Sequence, residues 1–220
     1  MKNIKKIVKE NIYLFIIFGL SCVNFFVALK LNVFRYNNFD FGKFDLGNMT
    51  QMAWYTLHGK FMYLTDYFGS NVPRWSMSHV DPLLALFVPI FAIFPHPLTL
   101  AISQLFIVVF SSFLIYAIAH LELKSKFSAF MFSLAYIFHP SLGFINGTMG
   151  FHAVTAAIPF FLGAFYLFEK MYKENSFTKG KMILFWVLLV LTMAGKEQIP
   201  LYVFMWGFFV LFFRTPEAGR

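Results

Sequence analysis

Residues 12–31 read IYLFIIFGLSCVNFFVALKL, twenty positions with a single charge, Lys30, near the end. The apolar core of a bilayer is ~30 Å thick and takes ~20 helical residues to cross. In lipid a lone segment satisfies its backbone only as a helix, so this run is expected to be a membrane span. Lys2, Lys5, Lys6 and Lys9 precede it, as basic residues would in a signal peptide. Yet Lys30, Leu31, Asn32 and Val33 offer no small-residue cleavage site, and the run is long for the apolar part of a signal. It reads as a retained anchor.

Composition carries that reading to the whole chain. Of 220 residues, 59% are apolar, 21% aromatic and 13% charged. A soluble domain carries ~25% charged residues, so this is not one, and a disordered chain is excluded by the same apolar content. The single cysteine, Cys22, excludes a disulfide scaffold or a cysteine-based metal centre. A net charge of +8 would suit nucleic acid, but the basic residues are scattered between apolar runs, where a topology signal explains them. No nucleic-acid partner is expected; membrane lipids are.

Further spans are expected at 98–119, at 127–145 with an interruption at His139-Pro140, and at 151–168. One helix over 182–213 would be ~48 Å long at 1.5 Å per residue, more than the apolar core. Two short spans, 182–195 and 199–213, are therefore expected, with Lys196-Glu197 at their tip and Pro200 in the first turn of the second. The apolar piece Pro82 to Pro95 is too short to cross and reads as an interfacial or re-entrant helix. The expected fold is an all-α integral membrane domain over 1–220, with about six transmembrane helices. Short interfacial helices are expected in a first outer loop, 32–97.

Charge orients it. If 1–11 is cytoplasmic, the inner segments 1–11, 120–126, 169–181 and 214–220 hold 12 of the 18 Lys and Arg residues, while acidic residues divide equally. That is the asymmetry of a cytoplasmic N-terminus. The outer side then carries Asp40, Asp45, Asp66, Asp81, His79, His139, His152, Lys196 and Glu197. Ionisable groups at membrane depth are costly and face a cavity or a partner, so their gathering on one face points to a site. Each has a plainer alternative: Asp45 as a helix cap, and Lys196-Glu197 as a mutually neutralising pair. The Asn-x-Thr triplets at Asn48 and Asn146 also fall on that face.

Four short motifs here resemble a family of polytopic bacterial and archaeal membrane proteins of unknown function, related to the GT-C glycosyltransferases. The first is Asp45-Leu46-Gly47-Asn48-Met49-Thr50-Gln51-Met52-Ala53-Trp54, similar to the family's Asp-Leu-Gly-x-Phe-Asp-Gln-x-x-Trp. Ser78-His79-Val80-Asp81-Pro82 stands where the family has Asp-His-x-Ser-Pro. Phe151-His152-Ala153-Val154 through Ile158-Pro159 resembles Phe-His-Pro-Glu-x-x-x-Ile-Pro, and Lys196-Glu197-Gln198 resembles Lys-Glu-Asp. The departures are Thr50, Val154 and Gln198, each replacing an acid.

The resemblance implies a GT-C-like fold in a bacterial or archaeal cell membrane. It also implies transfer of a sugar from a polyprenyl-phosphate donor to an acceptor outside the cytoplasm. On that expectation Asp45 is the catalytic base, and His79, His152, Lys196, Glu197, Arg74 and Gln51 bind substrate or phosphate. A divalent cation (Mg or Mn) would draw on Asp45, His79 and Asp81, and the Pro82–Pro95 helix would help form a groove for the lipid. Family members are longer, so later spans or an outer domain are expected beyond this chain. The other readings are a lipid or small-solute transporter or flippase, motivated by polar residues at short, proline-broken spans, and a non-catalytic membrane component, motivated by the missing acids.

Overall fold

The computed structural model describes residues 11–41, 43–77 and 79–213. The four N-terminal lysines, Ser78 of the second motif and segment 214–220 lie outside the described residues. Helix α1, Ile12–Asn37, extends six residues beyond the apolar run. Its extra turns hold because buried Asn32 donates back to Ala28 O (2.7 Å) and across to Asn146 O (2.6 Å), while Lys30 stays exposed.

Helices α4 (Pro97–Phe110) and α5 (Ser112–Leu123) follow end to end as a 27-residue apolar stretch. Helices α6 (Lys126–Ile137) and α7 (Pro140–Thr148) meet at a 44° bend. The cause is Pro140, which has no N–H to offer the Tyr136 carbonyl; that carbonyl accepts from His139 N–H instead (3.1 Å), and the Ile137 carbonyl accepts from Asn24 Nδ2 (3.2 Å). Helices α8 (Ala153–Ala156) and α9 (Ile158–Glu174) form a 22-residue stretch. Helices α10 (Lys179–Met193) and α11 (Ile199–Phe213) have 15 residues each.

Among the described residues three helices are suited by length and composition to cross a membrane, α1, α4–α5 and α8–α9, or four with the bent α6–α7 pair. The α10–α11 hairpin breaks where the length arithmetic requires. Its arms are shorter than a full crossing. Between helices, Ser21 Oγ meets Ser112 Oγ at 2.9 Å, Ser133 Oγ donates to Ser112 O at 2.9 Å, and Tyr136 Oη to Val108 O at 2.9 Å. Such bonds satisfy polar groups that lipid cannot.

The segment between α1 and α4 is a folded cap. It contains a π-type turn (Lys43–Gly47), helix α2 (Asn48–Leu57) and an antiparallel hairpin, β1 (Tyr63–Thr65) with β2 (Asn71–Pro73), in register Leu64↔Val72. A 3-10 turn (Arg74–Ser76), a second one (Pro82–Phe87) and helix α3 (Val88–Ile93) complete it. The hairpin was not anticipated from composition. Its five-residue link is held by Asp66 Oδ1, which accepts from the N–H groups of Phe68 (2.9 Å) and Ser70 (2.7 Å).

Residues 82–93 bury one face and leave Leu86, Ile90 and Ile93 exposed on the other. Leu83, Leu84, Phe87, Val88 and Phe91 are buried in one core with Met49 and Met52 of α2, Leu100 of α4, Phe151, Ala156 and Ile199. The cap therefore sits over the starts of α4, α8–α9 and α11. The helix ends and links at 120–126 and 169–181 carry a second group of charges, with Lys173 Nζ 2.7 Å from Glu122 and Lys181 Nζ 3.2 Å from Glu174.

Candidate functional site

Under the cap lies a cavity of about 110 Å³ lined by Asp45, Met49, Arg74, His79, Asp81, His152, Ala153, Val154, Gly195 and Lys196. Six of these polar residues had been singled out along the chain, and folding brings them together. Gln51 lies apart. Its amide donates to Thr65 Oγ1 (2.7 Å) and accepts from Thr65 N–H (3.1 Å), clamping α2 to the hairpin.

Asp45 does not cap a helix. It stands in the π-type turn, and Gly47 takes the cap position of α2. Its side chain is 58% exposed, and Oδ1 lies 3.6 Å from His152 Nε2. On the opposite wall Arg74 and Asp81 form a buried, two-pronged pair, Nε to Oδ1 at 3.4 Å and Nη2 to Oδ2 at 3.2 Å. Each charge there neutralises the other.

The expected Lys196–Glu197 pair is replaced by a different one. Glu197 Oε1 accepts from His79 Nδ1 (2.8 Å) and Oε2 from Val80 N–H (3.1 Å), across 118 residues of chain in the first case. A carboxylate acceptor places the proton of His79 on Nδ1, leaving Nε2 as the acceptor in the neutral ring. Lys196 forms no ion pair among the described residues, so it is the cavity's unneutralised cation.

Partial burial pushes the Glu197 carboxyl up, but hydrogen bonds from its own backbone, the His79 ring and Val80 outweigh it and bring it from 4.5 to about 2. The native state thus favours the ionised form. The stabilisation is present above pH 4.5 and lost as pH falls from there toward 2. An acid titration of unfolding in detergent is expected to show a descending limb in that window, which Glu197→Gln flattens. An unchanged limb would detach Glu197 from the contact.

Gly195 closes the cavity floor. A Cβ there would lie 2.7 Å from Ala157 Cβ and 3.1 Å from Thr192 O. Gly195→Ala is expected to destabilise by about 1–3 kcal/mol through overpacking. Adding Ala157→Gly should recover part of the loss in the same denaturation assay.

Beside the cavity runs an apolar groove of about 350 Å³ lined by Val154, Ala157, Ile158, Phe161, Leu162, Thr192, Ile199, Tyr202 and Val203. It lies between α8–α9 and α11, not along residues 82–95 where a lipid groove was expected. Val154 lines both spaces. In the sequence Val154 stands out only as a departure from the resembling motif's Glu, which does not say that it borders two spaces.

The metal expectation does not fit. Among the described residues no three His, Cys, Asp or Glu side chains are arranged to hold an ion. Asp81 is committed to Arg74 and His79 to Glu197. The triplet at Asn146 is likewise no glycosylation acceptor, since Asn146 is buried against α1.

Apolar helices long enough to cross a bilayer, closed at one end by a folded cap over a charged cavity, define a multi-pass membrane protein with a built polar site. The chain belongs to the family described as predicted membrane protein (DUF2079), which matches residues 35–219. No curated protein and no solved structure matches it.

Proposed function

We propose that this protein is a GT-C-type membrane glycosyltransferase that takes a sugar from a polyprenyl-phosphate donor and passes it to an acceptor hydroxyl on the non-cytoplasmic face. The observation that supports this is the junction at Val154, where a charged cavity opens beside an apolar groove. An amphiphile with an anionic head and a long apolar tail matches both spaces at once. In this reading the chain crosses the membrane six times from a cytoplasmic N-terminus, with α10 and α11 as the short final pair.

The chemistry follows from the residues. Asp45 takes the proton of the acceptor hydroxyl as its oxygen bonds to the anomeric carbon. The bond from that carbon to the phosphate oxygen breaks, and the lipid phosphate leaves with the electron pair. Lys196 faces the charge that develops there, whereas Arg74 holds the wall through Asp81.

The test is sugar transfer from polyprenyl-phosphate donors by purified protein, wild type against Asp45→Asn. Transfer by the wild type and loss in the variant supports the reading; equal transfer removes Asp45. A second reading, a non-catalytic lipid-binding component, draws on Val154, because the resembling motif has Glu at that junction. Retained donor binding with no transfer in the wild type selects it.

A further inference from the structure

Helix α4 contains one buried amide, Gln104, 1% exposed amid apolar residues. Its Oε1 accepts from His152 N–H at 2.6 Å and its Nε2 donates to Gly150 O at 3.0 Å. Both ends of one side chain are thus spent on the non-helical link between α7 and α8. Irregular backbone at membrane depth persists only where protein satisfies it, and here Gln104 supplies the partners.

Two further contacts lock the link. Phe151 is fully buried and packs edge-on against Phe87, ring centroids 5.1 Å apart. Gly150 has φ +64°, and a Cβ there would lie 3.3 Å from Leu46 Cβ, so the link passes close beside the turn that carries Asp45. The backbone of His152 is therefore placed from three sides.

The ring of His152 then has two unlike nitrogens. Nε2 faces Asp45 Oδ1 at 3.6 Å, while Nδ1 is buried with no hydrogen-bond partner among the described residues. A proton on Nδ1 would be a buried donor without an acceptor; a proton on Nε2 faces a carboxylate oxygen. Orphaned buried donors are rarer than orphaned acceptors, so the second tautomer is the cheaper one.

We propose that Gln104 and His152 are positioning residues for Asp45: Gln104 clamps the 150–152 backbone so that His152 presents an Nε2–H to the Asp45 carboxylate. The proposal rests on the part given to Asp45 above only for its use, not for its geometry. His152 orients the carboxylate and is not itself a phosphate ligand.

The test uses the full chain in nanodiscs, labelled with ¹⁵N-histidine, without any substrate. His152 is assigned by the resonance lost in His152→Gln. At a pH where the ring is neutral, the wild type is expected to show the nitrogen pattern of an Nε2–H imidazole. Asp45→Asn should shift the Nε2 resonance, and Gln104→Leu should shift or broaden both. Gln104→Glu should restore the wild-type pattern, because a buried, protonated glutamic acid also offers one acceptor and one donor.

An Nδ1–H pattern in the wild type overturns the proposal, and that result does not depend on whether Gln104→Leu folds. A His152 signal indifferent to both Asp45→Asn and Gln104→Leu overturns it too. Failure of sugar transfer alone leaves these readouts intact, so the two claims fail separately.

Discussion

Replacing Arg74 with alanine is expected to be the most damaging single change to stability, at about 3–5 kcal/mol, the cost of leaving one partner of a buried ion pair uncompensated. Arg74 and Asp81 side chains are 9% and 6% exposed, and the two bonds between them join the turn after β2 to the start of residues 82–87. Without the guanidinium, the buried Asp81 carboxylate has no bonded cation among the described residues; Lys196 lines the same cavity but makes no ion pair with it. The measure is the unfolding midpoint in mixed micelles.

The double variant Arg74→Met, Asp81→Leu should regain most of the loss, since apolar replacement of both partners removes the desolvation cost. Lys181→Ala, which breaks a pair with side chains 30% and 45% exposed, should change stability by no more than about 1 kcal/mol. An Arg74→Ala protein as stable as the Lys181→Ala one would mean that water reaches the pair.

The largest expected effect on activity belongs to Asp45. A positioned base contributes about 10²–10⁴-fold to rate, and Asp45→Asn keeps the size of the side chain while removing its capacity to accept the proton. The fall should appear in kcat, because the carboxylate acts on the acceptor in the transition state. Unfolding should be little changed, as Asp45 is 58% exposed and His152 Nε2 stands 3.6 Å from its carboxylate, beyond a hydrogen bond. A variant that loses only affinity for the acceptor would make Asp45 a binding group.

Some of this was legible because it is local. His139-Pro140 announced the bend between α6 and α7, for a proline in the interior of a helical run lacks the N–H that would continue it. The turn at 194–198 followed from length alone. Asp45, His79, Asp81, His152 and Lys196 were marked by being charged or titratable at the ends of apolar runs, and the cavity gathers all five. Gln104 was missed: a lone amide within an apolar run was the signal, and its two bonds come only from the structure.

Other readings failed where they needed a neighbour. For Pro82 to Pro95 the sequence did not show which apolar residues are covered: Leu83, Leu84, Phe87, Val88 and Phe91 pack into the core beneath the cap, while Leu86, Ile90, Ile93 and Phe94 remain exposed. Gln51 sits among the motif residues and is consumed by Thr65. The hairpin of Tyr63–Thr65 and Asn71–Pro73 has strands of three residues, too short for an alternating pattern to register.

By itself, then, the order of residues determined that the chain is helical and membrane-bound, where its helices break, and which polar groups are out of place in lipid. Those are properties of hydropathy and of backbone chemistry over a few turns. Only the tertiary structure decided who pairs with whom. Glu197 is held by His79 rather than by its neighbour Lys196, and Arg74 is neutralised by Asp81 while Lys196 is not. It also decided that Val154 stands between a charged cavity and an apolar groove. The physical reason is that pairing and enclosure depend on distances between residues remote along the chain, which packing sets and local sequence does not encode.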